Sequence, residues 1–161
     1  MTKRPSKQIQ RGSTLIVALV MLLLISLLAV GGMQGSILQE RMASNAHDRS
    51  IAFQASETAL RQAEVDLIDN LGSRQTAAAT LRLPVAWDWD GNNPAASGTG
   101  NVGTQVNSEP VYHTAQLALI CGSELGGAVS CFERFQATSR GEGGSAQAIA
   151  ITQSTVLLPP E

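Results

Sequence analysis

The sequence lacks charge, proline and cysteine over long distances, and each absence limits what the chain can be. No charged residue occurs between Gly12 and Gln39, so this segment suits a lipid bilayer better than a solvated surface. No proline occurs between Ser6 and Leu83, so no proline interrupts a long helix there. The only cysteines are Cys121 and Cys131, which are too few to ligate a structural metal ion by themselves.

The charge-free segment contains an apolar core, residues 15–30, that is interrupted only by Ser26. About 20 largely apolar residues cross a bilayer, and residues 15–30 with the uncharged residues 31–35 reach that length. Because basic flanks stay on the cytoplasmic side, we predict a single pass of a membrane. The N-terminus is then cytoplasmic, and the chain after about residue 36 lies outside the cytoplasm. The basic leader contains Lys3, Arg4, Lys7 and Arg11 and no acidic residue.

Three kinds of processing fit this N-terminus. A cleaved secretory signal would use small residues such as Ala29 and Gly31 after the apolar core. A plain uncleaved anchor would keep the whole N-terminus. A third pattern cuts after Gly12, before the apolar segment, and keeps the helix as an anchor that begins at Ser13. The residues that follow the apolar segment decide among the three.

Beyond Gln39 the sequence has the periodicity of an amphipathic helix. We predict one helix from Ser13 to about Leu71, with Gly72 as the residue that follows its end. Residues 13–35 would lie in the membrane, and residues 36–71 would pack on a soluble domain. The apolar face is formed by Leu38, Met42, Ala46, Phe53, Leu60, Ala63, Leu67 and Leu71.

Three glycines, Gly31, Gly32 and Gly35, lie where the apolar half meets the amphipathic half. Each costs about 1 kcal/mol relative to alanine in a helix interior. We therefore predict a weak point that can bend or melt. The alternative is that these small residues allow close packing of helices in the membrane.

Residues 72–161 are predicted to form one small globular domain. Residues 81–103 are rich in small and polar residues and are typical of loops. Strands are predicted at residues 111–120, 132–140 and 145–158, with a turn at 141–144, and short connections favour an antiparallel sheet. Such a domain buries little core alone, so the helix must contribute Phe53, Leu60 and Leu67. The fold class is α+β, with one long helix packed on a small antiparallel sheet.

Cys121 and Cys131 are predicted to form a disulfide, because the domain lies outside the cytoplasm. The closed loop is about 11 residues long, for which the chain-entropy model gives on the order of 2–3 kcal/mol. Two free buried thiols are the alternative, and they are disfavoured in an oxidising compartment.

The charge of the chain argues against nucleic acid as a partner. The formal net charge is −2, and removal of residues 1–12 with their four basic side chains lowers it to −6. Nucleic-acid binding depends on lysine and arginine contacts to phosphates. We also expect no cofactor.

One loop has some resemblance to a calcium site. Asp88, Asp90 and Asn92 fall at alternate positions, as calcium loops require. The sixth position is Asn93 where glycine is needed, and the twelfth is Thr99, which cannot supply a bidentate carboxylate. A turn that contains two aspartates is the favoured interpretation.

The aromatic and titratable residues give no sign of catalysis. Trp87 and Trp89 share a side if their segment is extended, and we expect them in the core rather than at a partner contact. His47 lies on the charged helix face and His113 in a strand. With no nucleophile elbow, phosphate loop or zinc helix in the sequence, the chain is not expected to be an enzyme.

Two blocks of residues resemble the PilX-like minor pilins of the type IV pilin superfamily. The first is the type III prepilin leader, a short basic run and Gly12 followed by Ser-Thr-Leu-Ile at residues 13–16. The second is more specific and comprises residues 38–45, Arg49, residues 52–57 and residues 59–61. Together the blocks reach from Arg11 to about Glu64.

The resemblance implies that this protein is the substrate of a processing reaction. A prepilin peptidase would cut after Gly12 and methylate the new amine of Ser13. Glycine at the cut lets the backbone approach the peptidase closely. The retained helix enters the membrane or the filament with Thr14, Leu15, Val17, Leu22 and Leu27.

The resemblance also implies a fold, a function and partners. The fold is the ladle of pilins, and the function is that of a minor pilin in the initiation and assembly of type IV pili, with twitching motility and surface attachment. The implied partners are other minor pilins, the major pilin, the prepilin peptidase, the inner-membrane assembly platform and membrane lipid. A tip adhesin is a further candidate partner.

One position departs from the pattern of the major pilins. They carry glutamate at the fifth mature position, where this chain has Val17. The departure favours a special place, such as the filament tip or the initiating complex. The first alternative function is a minor pseudopilin of a type II secretion system. The second is a membrane-anchored periplasmic binding protein or enzyme subunit.

Overall fold

The computed structural model describes residues 13–123 and 129–160 and has the predicted α+β layout, with one long helix packed on an antiparallel sheet. The chain divides into two units, one ending at Ser44 and the other beginning at Asn45. Two helices, α1 (Ser13–Asp69) and α2 (Leu71–Ala79), precede a 3-10 turn, Ala86–Asp88, and a sheet of order β1-β2-β3-β4. The strands are β1 (Gly98–Thr99), β2 (Val111–Ser123), β3 (Val129–Glu142) and β4 (Ile149–Leu158).

The long helix ends at Asp69, close to the predicted end, and a second helix that was not predicted begins at once. Asn70 has extended backbone angles and caps α2, since its Oδ1 accepts the Gly72 N–H at 3.0 Å. Arg74 Nε donates to the Leu67 carbonyl at 2.7 Å, which satisfies a carbonyl in the last turn of α1. The prediction that Gly72 simply follows the helix end is therefore wrong.

The face of α1 that packs on the sheet is lined mostly by small side chains. The prediction was right for Leu60, Ala63 and Leu67 and wrong for Phe53, which is 53% exposed. Phe53 neighbours the buried Ala52 and points about 100° away from it around the helix. The buried residues of α1 are Ala52, Ala55, Ser56, Ala59, Leu60, Ala63 and Leu67, whereas Leu38, Met42 and Ala46 are exposed, as is Leu71 in α2.

The small face lets α1 approach the sheet unusually closely. A Cβ atom on Gly141 would collide with the backbone of Ala52 and Ser56. A Cβ on Gly100 would lie 2.8 Å from the Ala59 Cα. These two glycines are therefore needed for close packing of backbone on backbone.

Strands β2 and β3 are longer than predicted, β4 is shorter, and one predicted turn is wrong. Gly141 and Glu142 belong to β3 and pair with Ala150 and Ile149 of β4, so residues 141–144 do not form the turn. The glycine at 141 serves the contact with α1 instead. The chain reverses after Glu142, and β4 begins at Ile149 rather than at Ser145.

The other face of the sheet is covered by part of the segment predicted as loop. The Trp89 ring is buried and lies 5.8 Å from the ring of His113 in β2, in an edge-to-face arrangement. Trp87 is 81% exposed, because the 3-10 turn Ala86–Asp88 rotates the two tryptophans apart. The core prediction is thus right for Trp89 and wrong for Trp87.

Candidate functional site

The first unit presents an apolar helix with no protein around it. Every residue from 13 to 44 is exposed, and the most apolar 18-residue window of α1 has a mean hydropathy of 2.9 with none of it buried. By length and composition this helix can cross a membrane. A helix that is apolar all round belongs in lipid or inside a bundle of other helices.

The hydroxyl of Ser26 does not break the apolar character of this segment. Its Oγ donates to the Leu23 carbonyl at 2.8 Å, within the same helix. A polar group that is bonded in this way avoids the cost of an unsatisfied group in hydrocarbon. Residues 15–30 are therefore compatible with lipid along their whole length.

The residues predicted for processing and helix insertion occupy the start of α1. Gly12 lies outside the described residues. Ser13 is the first residue of the helix, and Val17 lies just over one turn further along. Thr14, Leu15, Leu22 and Leu27 are exposed residues of the same segment.

The three junction glycines are helical in this structure. A Cβ on Gly31, Gly32 or Gly35 would meet nothing within 4 Å. Nothing in the part of the chain that the structure describes therefore requires glycine at these positions. A weak point or a close helix contact in an assembly stays the prediction for them.

At the start of the second unit, Asp48 ties α1 to the β3–β4 connection. Its Oδ1 accepts the Gly144 N–H at 2.5 Å and the Ser145 N–H at 3.2 Å, and its Oδ2 accepts the Ser145 hydroxyl. The hydrogen bond from the Ser145 side chain is the main cause that lowers the pKa of Asp48, with the two backbone N–H groups adding to it. Local sequence patterns do not reveal this contact, because its partners lie almost 100 residues apart.

A buried group of hydroxyls fixes the middle of the helix on the sheet. Ser56 Oγ lies 2.9 Å from both Ser139 Oγ and Thr152 Oγ1. Ser139 Oγ also donates to the Ser56 carbonyl at 2.8 Å. These bonds satisfy polar groups that burial would otherwise make costly.

A third tie lies near the end of α1, where the Tyr112 hydroxyl donates to the Asp66 carboxylate. Burial raises the pKa of Tyr112 well above its ordinary value, and the hydrogen bond to Asp66 adds to that effect. Asp48, Ser56 and Asp66 therefore hold the sheet-packed part of the helix at its beginning, middle and end.

The expected disulfide is present and joins the two central strands. Cys121 of β2 and Cys131 of β3 are opposite each other in the sheet, with their Cα atoms 4.0 Å apart. The bond therefore closes the outer end of the β2–β3 hairpin. There the exposed Leu119, Ile120 and Phe132 show that little core supports the strands.

Two titratable residues singled out from the sequence, His113 and Asp90, have different surroundings in the second unit. His113 is buried, and burial lowers its pKa below the ordinary value. Asp90 Oδ1 accepts the N–H groups of Asn92 and Asn93, each at 2.8 Å, which is the turn favoured from the sequence. Across residues 13–123 and 129–160, no three His, Cys, Asp or Glu side chains are grouped to hold a metal ion.

Comparison with known families identifies the N-terminal segment. Residues 11–61 match the family model described as PilX N-terminal. The match covers about a third of the chain and supports a PilX-like type IV pilin. No curated protein and no solved structure matches this chain.

Proposed function

From the PilX-like type IV pilin segment at residues 11–61, we propose that this protein is a minor pilin that takes part in the initiation and assembly of type IV pili. One observation carries the proposal. The matched segment coincides with a helix that is apolar and exposed from its first residue. That surface needs lipid or other helices around it.

The proposed anchor explains how one helix serves two environments. In the inner membrane, residues 13–35 lie in lipid, with the leader in the cytoplasm and the second unit in the periplasm. In a filament, the apolar helices of other subunits replace the lipid. Apolar surface stays away from water in both states, so the transfer does not require the hydrophobic free energy to be lost.

We further propose that processing precedes assembly. A prepilin peptidase cuts after Gly12 and methylates Ser13, which leaves the apolar helix at the new N-terminus. The matched family segment begins at Arg11 and so includes both sides of this bond. This reaction requires no catalytic residue in this chain, because the chain is its substrate.

The absence of a glutamate at position 17 favours a special position for the subunit in the filament. A carboxylate inside the apolar helix is costly unless it is paired with a positive group. Val17 avoids that cost, but it cannot form such a pair with a neighbouring subunit. A subunit at the tip or in the initiating complex lacks one neighbour and does not need that pair. The proposed neighbours are the other minor pilins, the major pilin and a tip adhesin.

Deletion of the gene, with complementation, tests the function. We expect fewer surface filaments and reduced twitching in the deletion strain, and both should return with the wild-type chain. Filaments of normal number and composition would contradict the proposal. A defect in enzyme secretion with normal filaments would also contradict it and would support the pseudopilin alternative.

The Val17→Glu variant tests the proposed position. If Val17 marks a subunit that lacks one neighbour, the added carboxylate should reduce filament number or move the subunit along the filament. Val17→Leu is the matched control and should behave as wild type. Unchanged assembly and placement of the glutamate variant would argue against the special position.

A further inference from the structure

The two edges of the sheet differ in how well they are protected. On the β2 edge, β1 pairs with the first two residues of β2. The Ser97 N–H donates to the Tyr112 carbonyl at 2.7 Å, and Ser97 Oγ accepts the Thr114 N–H at 2.9 Å. Helix α2 also packs against β2. Further along, the pairing of β2 with β3 shifts between Leu117 and Ile120, as in a β-bulge. Covering elements and bulges are common means of protecting an edge.

Within the described residues the β4 edge is less protected. The 3-10 turn Ala86–Asp88 contacts β4, but no strand pairs with its outer side and no bulge interrupts its pairing with β3. Within residues 13–123 and 129–160, β4 pairs only with β3, in unbroken register from Ile149 to Leu158. Its ten residues include no charged residue and no proline. Natural proteins usually blunt such an edge with lysine, proline or a bulge, because unpaired main-chain groups accept a strand from another chain.

The chemistry of this edge specifies what fits it. A row of main-chain N–H and C=O groups is satisfied by an extended polypeptide. One side of β4 is covered, since Thr152 bonds to Ser56 of α1. The other side exposes Ile149 (46%) and Leu157 (56%). An added strand would place aliphatic or β-branched side chains beside these two residues. It would carry no charge there, since β4 offers no ion-pair partner.

A second copy of this chain fits the edge poorly in the antiparallel arrangement. Helix α1 runs along β4 in the same direction, because Asp48 bonds to Ser145 and Ser56 bonds to Thr152. Antiparallel pairing of two β4 strands would therefore direct the Asn45 ends of the two helices in opposite directions. Under the proposed function, both copies are anchored in one membrane, on the same side.

We propose that β4 receives an extended, uncharged strand from a different protein of the pilus assembly, which adds to the sheet as a fifth strand. The inference rests on the proposed function and names the chemistry of the partner. Main-chain hydrogen bonds supply the affinity, and the contacts with Ile149 and Leu157 supply the selectivity.

Site-specific photo-crosslinking in cells that assemble pili tests this directly. The full-length chain carries p-benzoylphenylalanine at Gln153 or Leu157 on the edge, or at Leu81 or Ile68 as exposed control positions. We expect crosslinks several times stronger from the edge positions. Mass spectrometry should place them in an uncharged, extended segment of one other protein. Equal crosslinks from the controls, crosslinks between two copies of this chain, or crosslinks to a helix or a charged segment would overturn the proposal.

A lysine on the edge provides the second arm of the experiment. Thr155 is exposed on β4, and Thr155→Lys should abolish crosslinking from Leu157, because an edge lysine opposes strand addition. The matched control is Ala78→Lys on the exposed side of α2, which should leave the crosslinks intact. Thermal unfolding of both variants verifies the fold. Crosslinks that persist in a folded Thr155→Lys protein would contradict strand addition.

The two proposals fail in different ways. If crosslinking from β4 fails while deletion of the chain still removes pili, strand addition is wrong and the pilin function stands. If deletion leaves pili normal, the pilin function is wrong, and the inferred partner is lost with it.

Discussion

The two units of this protein put the same kinds of side chain in opposite places. In residues 13–44, leucine, valine and isoleucine point outward and none is buried. In the unit that begins at Asn45, the core includes Leu60, Leu67 and Phe135. The second unit forms its own core, whereas the first relies on its surroundings to cover its apolar surface. Mutations should therefore affect folding in one unit and location in the other.

The largest expected effect on folding is at Phe135, which is 1% exposed. Phe135→Ala should lower the free energy of unfolding by about 3–5 kcal/mol, because it removes buried surface and leaves a cavity. Phe53→Ala is the matched control and should have a small effect, since Phe53 is half exposed. Denaturant unfolding in detergent measures both. Equal losses from the two variants would mean that the core is wrongly assigned.

The next effect is on location, and it should spare folding. Leu22→Lys places a charge in the middle of the apolar segment, which costs about 2.5–3.5 kcal/mol at the centre of a membrane helix. We expect less protein in the membrane fraction and fewer pili, with the melting temperature of the second unit unchanged. Leu22→Ala is the control and should stay in the membrane. If Leu22→Lys inserts as wild type does, residues 13–35 are not the anchor.

The disulfide should matter to the second unit alone. Replacing Cys121 and Cys131 together by serine should lower the free energy of unfolding by about 2–3 kcal/mol, from the loop that the bond closes. Membrane retention should not change. Unfolding of the oxidised wild type, the reduced wild type and the double variant gives the comparison. A reduced wild type as stable as the oxidised protein would refute this role.

The smallest effect concerns Asp48 and acid. Hydrogen bonds lower the pKa of Asp48 in the folded chain. The Asp48 carboxylate therefore stabilises the folded chain above the ordinary aspartate pKa, and this stabilisation is lost as pH falls through the lowered value. Asp48→Asn should flatten the loss of stability at acid pH. Asp69→Asn, at the exposed end of the same helix, is the control. An unchanged acid profile for Asp48→Asn would show that the tie to Ser145 contributes nothing.

Features with a strong local signal could be predicted from the sequence. The apolar run defined the exposed helical segment, and alternation of residue types located the three long strands. The disulfide was predicted because the only two cysteines lie in a domain outside the cytoplasm. These signals lie within short windows of sequence, where periodicity and composition act.

Features set by contacts between distant residues could not be predicted. Phe53 has the right spacing for the core, yet the sheet selects the face of small residues because Gly100 and Gly141 bring the backbone close. Gly141 was assigned to a turn because glycine is common in turns, whereas in the structure it belongs to β3 and allows the contact with α1. The bonds of Asp48 to Ser145 and of Ser56 to Ser139 join segments far apart in sequence, and no local pattern marks them.

The mass of the mature protein tests the central claim most directly. That claim is that the apolar helix stays on the chain as its membrane anchor after the leader is removed. Intact-mass spectrometry of protein extracted from the membrane fraction should give a chain that begins at Ser13, carries one added methyl group and keeps the disulfide. A water-soluble chain that begins after Val30 would contradict the account.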